Sequence, residues 1–195
     1  MKIVQKKLSN KHVFEFGQDY LNFSYKDGSG TGDIDTLYAD IPEKTLTRID
    51  NNTWLRNVGY IWIFIGLVEV FLAISNGRSL NANFLWLLGG SAFVALFYIT
   101  TVVYTVINVN EGGIWIIQDK NTHDQILNEI KERKKSQLLA WYGDINLDNT
   151  LEQEINKFNW LAHQQVISRE KADKLIKQVE AAHAFSEKNE GVTIN

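Results

Sequence analysis

Cysteine is absent from the chain, which excludes disulfides and thiolate metal sites and fits a reducing compartment. A single proline and 13 glycines in 195 residues exclude a low-complexity or linker-rich chain. Basic charge is not in excess. The formal net charge is −3, so nucleic acid is not an expected partner. The opening residues, MKIVQKKLSNKHVFEF, lack the apolar core of a secretory signal, so membrane insertion would fall to internal segments. Charge itself is missing from the middle of the chain. Between Ser79 and Asn110 no residue is charged, and between Asn57 and Gly77 only Glu69 is.

Two apolar segments fill that gap, Val58 to Ser75 and Phe84 to Val106, joined by the polar turn NGRSLNAN. About 20 apolar residues in a helix cover the roughly 30 Å of a bilayer core. Trp54, Tyr60, Trp62, Trp86 and Tyr104 sit toward the segment ends, where aromatic rings favour the headgroup level. The alternative is a buried helical hairpin in a soluble protein, but a soluble helix normally keeps a polar face. The expectation is a transmembrane helical hairpin over 54–108. Lys44, Arg48, Arg56 and Lys120 flank it, with Lys131 further along, against Arg78 alone in the turn. The positive-inside rule then places both termini in the cytoplasm and the turn outside.

Glu69 is the one ionisable residue within a span, and a charge there is costly. Folding about the turn is expected to bring it near the depth of Gly89, Gly90 and Ser91, whose hydroxyl could bond the carboxyl. Glu69 and Ser91 are therefore the intramembrane polar candidates, for an ion or proton site, a subunit contact, or packing alone.

The first fifty residues read as strands. Leu21, Phe23 and Tyr25 alternate with polar residues, DGSGTGD (Asp27 to Asp33) reads as a turn, and Ile34 to Ile41 gives a further strand stopped by Pro42. Gly28, Gly30 and Gly32 lack the Lys-Ser/Thr of a phosphate loop, so a turn is the expected role. After the second span, Gly113 to Gln118 reads as a strand and His123 to Tyr142 as an amphipathic helix. Its Lys131, Lys134 and Lys135 are candidates for lipid headgroups, or a solvated helix surface.

The tail reads as two helices, capped by Asn149 or Thr150 and by Ser168. Leu151, Ile155 and Phe158 on the first, and Leu175, Ile176 and Val179 on the second, form stripes that need a partner, either the sheet domain or another copy of the chain, which makes all six oligomerisation candidates. His12, His123, His163 and His183 lack metal-ligand spacing and are expected in surface or capping roles. The division expected is 1–53 with 109–143, then 54–108, then a helical hairpin over 148–185 and a frayed 186–195.

YADIP (Tyr38 to Pro42), the span pair, and GIWIIQDK followed by the amphipathic helix resemble a bacterial pleckstrin-homology-like domain split by a transmembrane insertion. The tail EINKFNWLAHQQVISREKADKLIKQVE is similar to the short C-terminal (SHOCT) domain family at Leu161, Ile167, Ser168 and Glu170, with Gln165-Val166 where that family usually carries glycine. These resemblances imply an α+β membrane protein: a helical hairpin inserted in a small cytoplasmic sheet-plus-helix domain, then a C-terminal helical hairpin. They imply a non-enzymatic scaffold that binds lipid, self-associates or docks a protein, with no cofactor and no catalytic residues. A small oligomeric channel or transporter built on Glu69 is the alternative, and a membrane inhibitor or immunity protein stands below it. No Ser/His/Asp grouping, paired carboxylates or nucleotide motif points to an enzyme.

Overall fold

A computed structural model describes residues 1–28, 30–77 and 84–190, with side chains through 185. The architecture is mixed α+β, with two antiparallel sheets and five α-helices among the described residues. Strands β1 (Lys2–Lys7), β2 (Asn10–Phe16), β3 (Tyr20–Asp27) and β4 (Gly30–Leu37) form one meander in chain order. A short 3-10 turn, Tyr38–Asp40, follows. Strand β5 (Leu46–Asp50) then leads into helices α1 (Thr53–Ser75) and α2 (Phe84–Thr100). Strands β6 (Val102–Val109) and β7 (Gly112–Ile117) complete a second sheet, in the order β5-β6-β7. Helix α3 (His123–Tyr142) precedes α4 (Leu151–His163) and α5 (Arg169–Glu190).

The strands on either side of the helical hairpin are neighbours. Leu46 stands opposite Val106 and Asp50 opposite Val102, so α1 leaves and α2 returns at the same end of the second sheet. The two sheets and α3 enclose one core containing Phe14, Phe23, Tyr38, Ile107, Ile116 and Ile126. Strand β1 meets β7 through Gln5, whose buried amide bonds the backbone of Ile117.

Two sets of elements define the ends of this sandwich. Near the hairpin lie the β1–β2 turn, the β3–β4 turn and the start of α3: Lys7 Nζ donates to the Thr101 carbonyl (2.8 Å) and Gln118 N to the Val103 carbonyl (2.9 Å). At the far end Gln137 on α3 donates to the Asp19 carbonyl and accepts from Ala39 N. The pair α4 and α5 packs there too, its core of Phe158, Leu161, Val166, Ile167 and Val179 joined by Leu138 of α3.

Several expectations shift. The second apolar segment is not helical to Val106. Its helix stops at Thr100, and Val102–Val109 is the central strand of the second sheet. The β-branched run Thr100 to Val103 suits a pleated surface better than a helix. Val102 and Val106 pack in the sandwich rather than continuing a span, so the expected 54–108 unit loses its last residues to the sheet. The glycine tract is mostly strand: Gly30 and Gly32 belong to β4, and Gly32 lies against the Tyr25 ring. Helix α5 continues through 186–190, so only 191–195 of the expected frayed tail falls outside the described residues. Arg78 and most of the NGRSLNAN turn also lie outside them. His12 is buried, not a surface group.

Among the described residues, helix α1 alone is long and apolar enough to cross a membrane by length and composition; α2, with 17 residues, is apolar but shorter. Both turn small residues toward each other. A Cβ on Gly90 would stand 2.7 Å from the Gly59 carbonyl oxygen and 2.7 Å from Ile63 N, and one on Gly66 2.9 Å from Leu87 N. Their large side chains point away: Phe64, Phe71 and Leu88 are 67%, 69% and 68% exposed. Trp62 wedges edge-on between Trp86 and Phe93 at 5.2 and 5.0 Å.

Candidate functional site

At the hairpin end the two sheets part and leave a cleft of about 490 Å³ between the β3–β4 turn and β5. Strand alternation supplies its walls. Asn10, His12 and Tyr25 face inward from the first sheet, and Arg48, Tyr104 and Trp115 from the second. Asp27 and Asp50 stand on the rim. The Arg48 guanidinium lies 5.0 Å from the centre of the Trp115 ring, within cation–π range.

The floor groups satisfy one another. Asn10 Nδ2 donates to Tyr104 Oη at 2.6 Å. The His12 ring stacks on Tyr104 at 5.7 Å and meets Phe23 edge-on at 5.5 Å. His12 Nδ1 lies 2.6 Å from the Trp115 carbonyl oxygen, so the proton sits on Nδ1 and the bond joins β2 to β7. Burial lowers the His12 pKa below 6.5, against the opposing pull of the Trp115 carbonyl and Asp27. Burial raises the Tyr104 hydroxyl above its ordinary value, with Asp50 adding to the rise. The cleft floor thus pairs an amide, a phenol and an imidazole. Among the described residues no group of three or more His, Cys, Asp or Glu is placed to hold a metal ion.

The residues singled out from sequence are dispersed. Glu69 is half-buried on α1, but not beside Ser91. The contacts of Gly59 with Val94, Ile63 with Gly90 and Gly66 with Leu87 fix an antiparallel register. Continued by three residues, it sets Glu69 level with Phe84, near the turn. Ser91 is level with Trp62, seven residues or about 10 Å away along the helix, and its side chain is exposed. The expected shared depth fails because α1 runs on to Ser75, past the level of Phe84 where α2 begins, so the two helices are not paired symmetrically about the turn.

Lys131, Lys134 and Lys135 lie eight to twelve residues into α3, about 12–18 Å from its start at the hairpin end. Lys134 Nζ donates to the Ile41 carbonyl at 2.7 Å, at the far end. Of the six tail residues, Phe158 and Val179 are fully buried within the chain, and Leu175 and Ile176 pack against the same cluster. Ile155 is half-buried and Leu151 exposed. Four of the six, Phe158, Leu175, Ile176 and Val179, therefore pack α4 on α5 and α3 within the chain.

Sequence reading missed Arg48 and Trp115 in the cleft, which become neighbours only when β5, β6 and β7 pair. It also missed Lys6, Lys11 and Lys26, whose adjacency depends on strand register. No family model, curated protein or solved structure matches the chain.

Proposed function

We propose that this chain is a membrane-anchored, non-enzymatic interaction module. Its helical hairpin sits in the bilayer, and its sheet domain and C-terminal helical pair stand together on the cytoplasmic side. The observation that carries this reading is the inverted hairpin, with glycines inside and large apolar side chains outside. In water each Å² of that surface costs about 25 cal/mol, whereas in hydrocarbon it costs nothing. Close backbone approach at small residues is also how helices pair where lipid removes the hydrophobic drive between them.

The β5-to-β6 pairing supports a single domain interrupted by the hairpin, in the sense of the pleckstrin-homology-like resemblance. The tail supports the SHOCT resemblance at one position. Gln165 adopts φ +54°, the left-handed conformation that favours glycine.

The test uses single cysteines in the otherwise cysteine-free chain and a membrane-impermeant maleimide on intact and inverted vesicles. Phe64→Cys and Leu88→Cys should stay unlabelled until detergent is added. Asn110→Cys should label from the cytoplasmic side only. Rapid labelling of Phe64→Cys in intact membranes, or release of the protein by alkaline carbonate, would refute the reading.

A further inference from the structure

The register of the first sheet gathers three lysines that are far apart in sequence. Lys6 is directly opposite Lys11, and Lys11 directly opposite Lys26, so the three side chains stand in a row on one face of β1, β2 and β3. All three are exposed. Among the described residues, none of the three side chains takes part in an ion pair or hydrogen bond. Like charges directly opposite one another destabilise a sheet, so the fold carries this row at a cost. Acidic groups on the same face begin with Asp33, opposite Ser24 and two residues farther from the hairpin, followed by Asp35 opposite Asn22.

The row lies at the strand ends next to the hairpin. Lys7 Nζ, bonded to the Thr101 carbonyl one residue past α2, ties the β1–β2 turn to the hairpin base. At the tip of that turn Leu8 is 60% exposed and holds φ +56°, a conformation uncommon for a leucine.

We propose that the β1–β2 turn is a second membrane contact: Lys6, Lys11 and Lys26 engage anionic lipid headgroups and Leu8 enters the interface beside the hairpin. The contact rests on the hairpin being in the bilayer. Its consequence is orientation. A domain joined only by β5 and β6 could tilt, whereas the lysine row holds the first sheet down against an anionic surface and fixes which side of the cleft faces the cytoplasm.

The full chain would carry an environment-sensitive dye on Ser9→Cys and, separately, on Phe64→Cys. It would be reconstituted in nanodiscs of phosphatidylcholine alone or with phosphatidylglycerol, each containing a brominated lipid as quencher. The Ser9 dye should be quenched only where phosphatidylglycerol is present, and high salt should reverse it. Combined Lys6→Gln, Lys11→Gln and Lys26→Gln should lower the ratio of docked to undocked domain about a hundredfold. The set Lys131→Gln, Lys134→Gln and Lys135→Gln should leave it unchanged. Equal quenching at Ser9 in both lipids, or quenching that survives the first triple substitution, would overturn the proposal. A quenched Phe64 dye with an unquenched Ser9 dye rejects the contact alone, whereas an unquenched Phe64 dye rejects the hairpin reading and the contact with it.

Discussion

Gln5 and Ile117 are joined by a two-way hydrogen bond: Gln5 Oε1 accepts from Ile117 N at 2.8 Å, and Gln5 Nε2 donates to the Ile117 carbonyl at 2.9 Å. The side chain thus behaves as one extra residue of strand and closes the gap between β1 and β7. Its Nε2 also reaches Asp119 Oδ2 and Thr122 Oγ1, so the same amide fixes the start of α3.

Gln5→Leu keeps the volume and strands both backbone groups of Ile117 in a buried place. The expected loss is about 2–4 kcal/mol. Hydrogen exchange of the full chain should show the Ile117 amide losing protection while α4 and α5 stay unchanged.

Gly90 and Ser91 are adjacent on α2, but Gly90 is buried against α1 and Ser91 is exposed. Gly90→Leu drives a side chain into the Gly59 backbone and should destabilise the hairpin by about 3 kcal/mol. Ser91→Leu points outward and should change stability by no more than about 0.5 kcal/mol. Thermal melts in detergent check the contrast. A large effect at Ser91 would mean that its hydroxyl has a role the geometry does not give it.

Helix α4 ends in a Schellman arrangement, with Gln165 N donating to the Ala162 carbonyl (3.0 Å) and Val166 N to the Leu161 carbonyl (2.9 Å). Val166 and Leu161 share one buried cluster, the hydrophobic contact that accompanies this motif. The residue at φ +54° is Gln165, so Gln165→Gly should remove strain and stabilise the tail by about 0.5–1 kcal/mol. Denaturant unfolding followed by Trp160 fluorescence reads this directly.

Local signals were legible in the sequence. The alternation of Leu21, Phe23 and Tyr25 marks β3, and the Thr150 and Ser168 caps start α4 and α5, with Thr150 Oγ1 accepting from Gln153 N. What depends on distant pairing was not legible. Strand β5 has no alternation to betray it, because all five residues are exposed and its partner β6 begins beyond the whole hairpin. The end of α2 was hidden because Val102 to Val109 is as apolar as a span, for the different reason that it is the middle strand. Phe158, Leu175, Ile176 and Val179 looked unpartnered because Leu138 and Leu139 of α3, which join their cluster, are brought there by a fold the helical pattern cannot reveal. The lysine row needs two strand registers at once.

His12 and Glu154 place acid sensitivity in separate parts of the molecule and in separate pH windows. The His12 pKa is lowered by burial, so the unfolded chain binds its proton first. Stability tied to His12 is full above 6.5 and declines as pH falls below that value toward the lower folded one. Glu154 is fully buried on α4. Burial would raise its pKa, but bonds from Lys157, Asn149 and the Asn146 amide outweigh that and lower it below 4.5. Its contribution is complete above 4.5 and is lost as pH falls through the folded value. Hydrogen exchange at stepped pH should therefore show β2 and β7 loosening first, in the mildly acidic range, and residues 144–163 only in stronger acid. Glu154→Gln should abolish the second step and leave the first. If both regions open together at one pH, the His12 and Glu154 environments are coupled, contrary to the two separate cores they occupy.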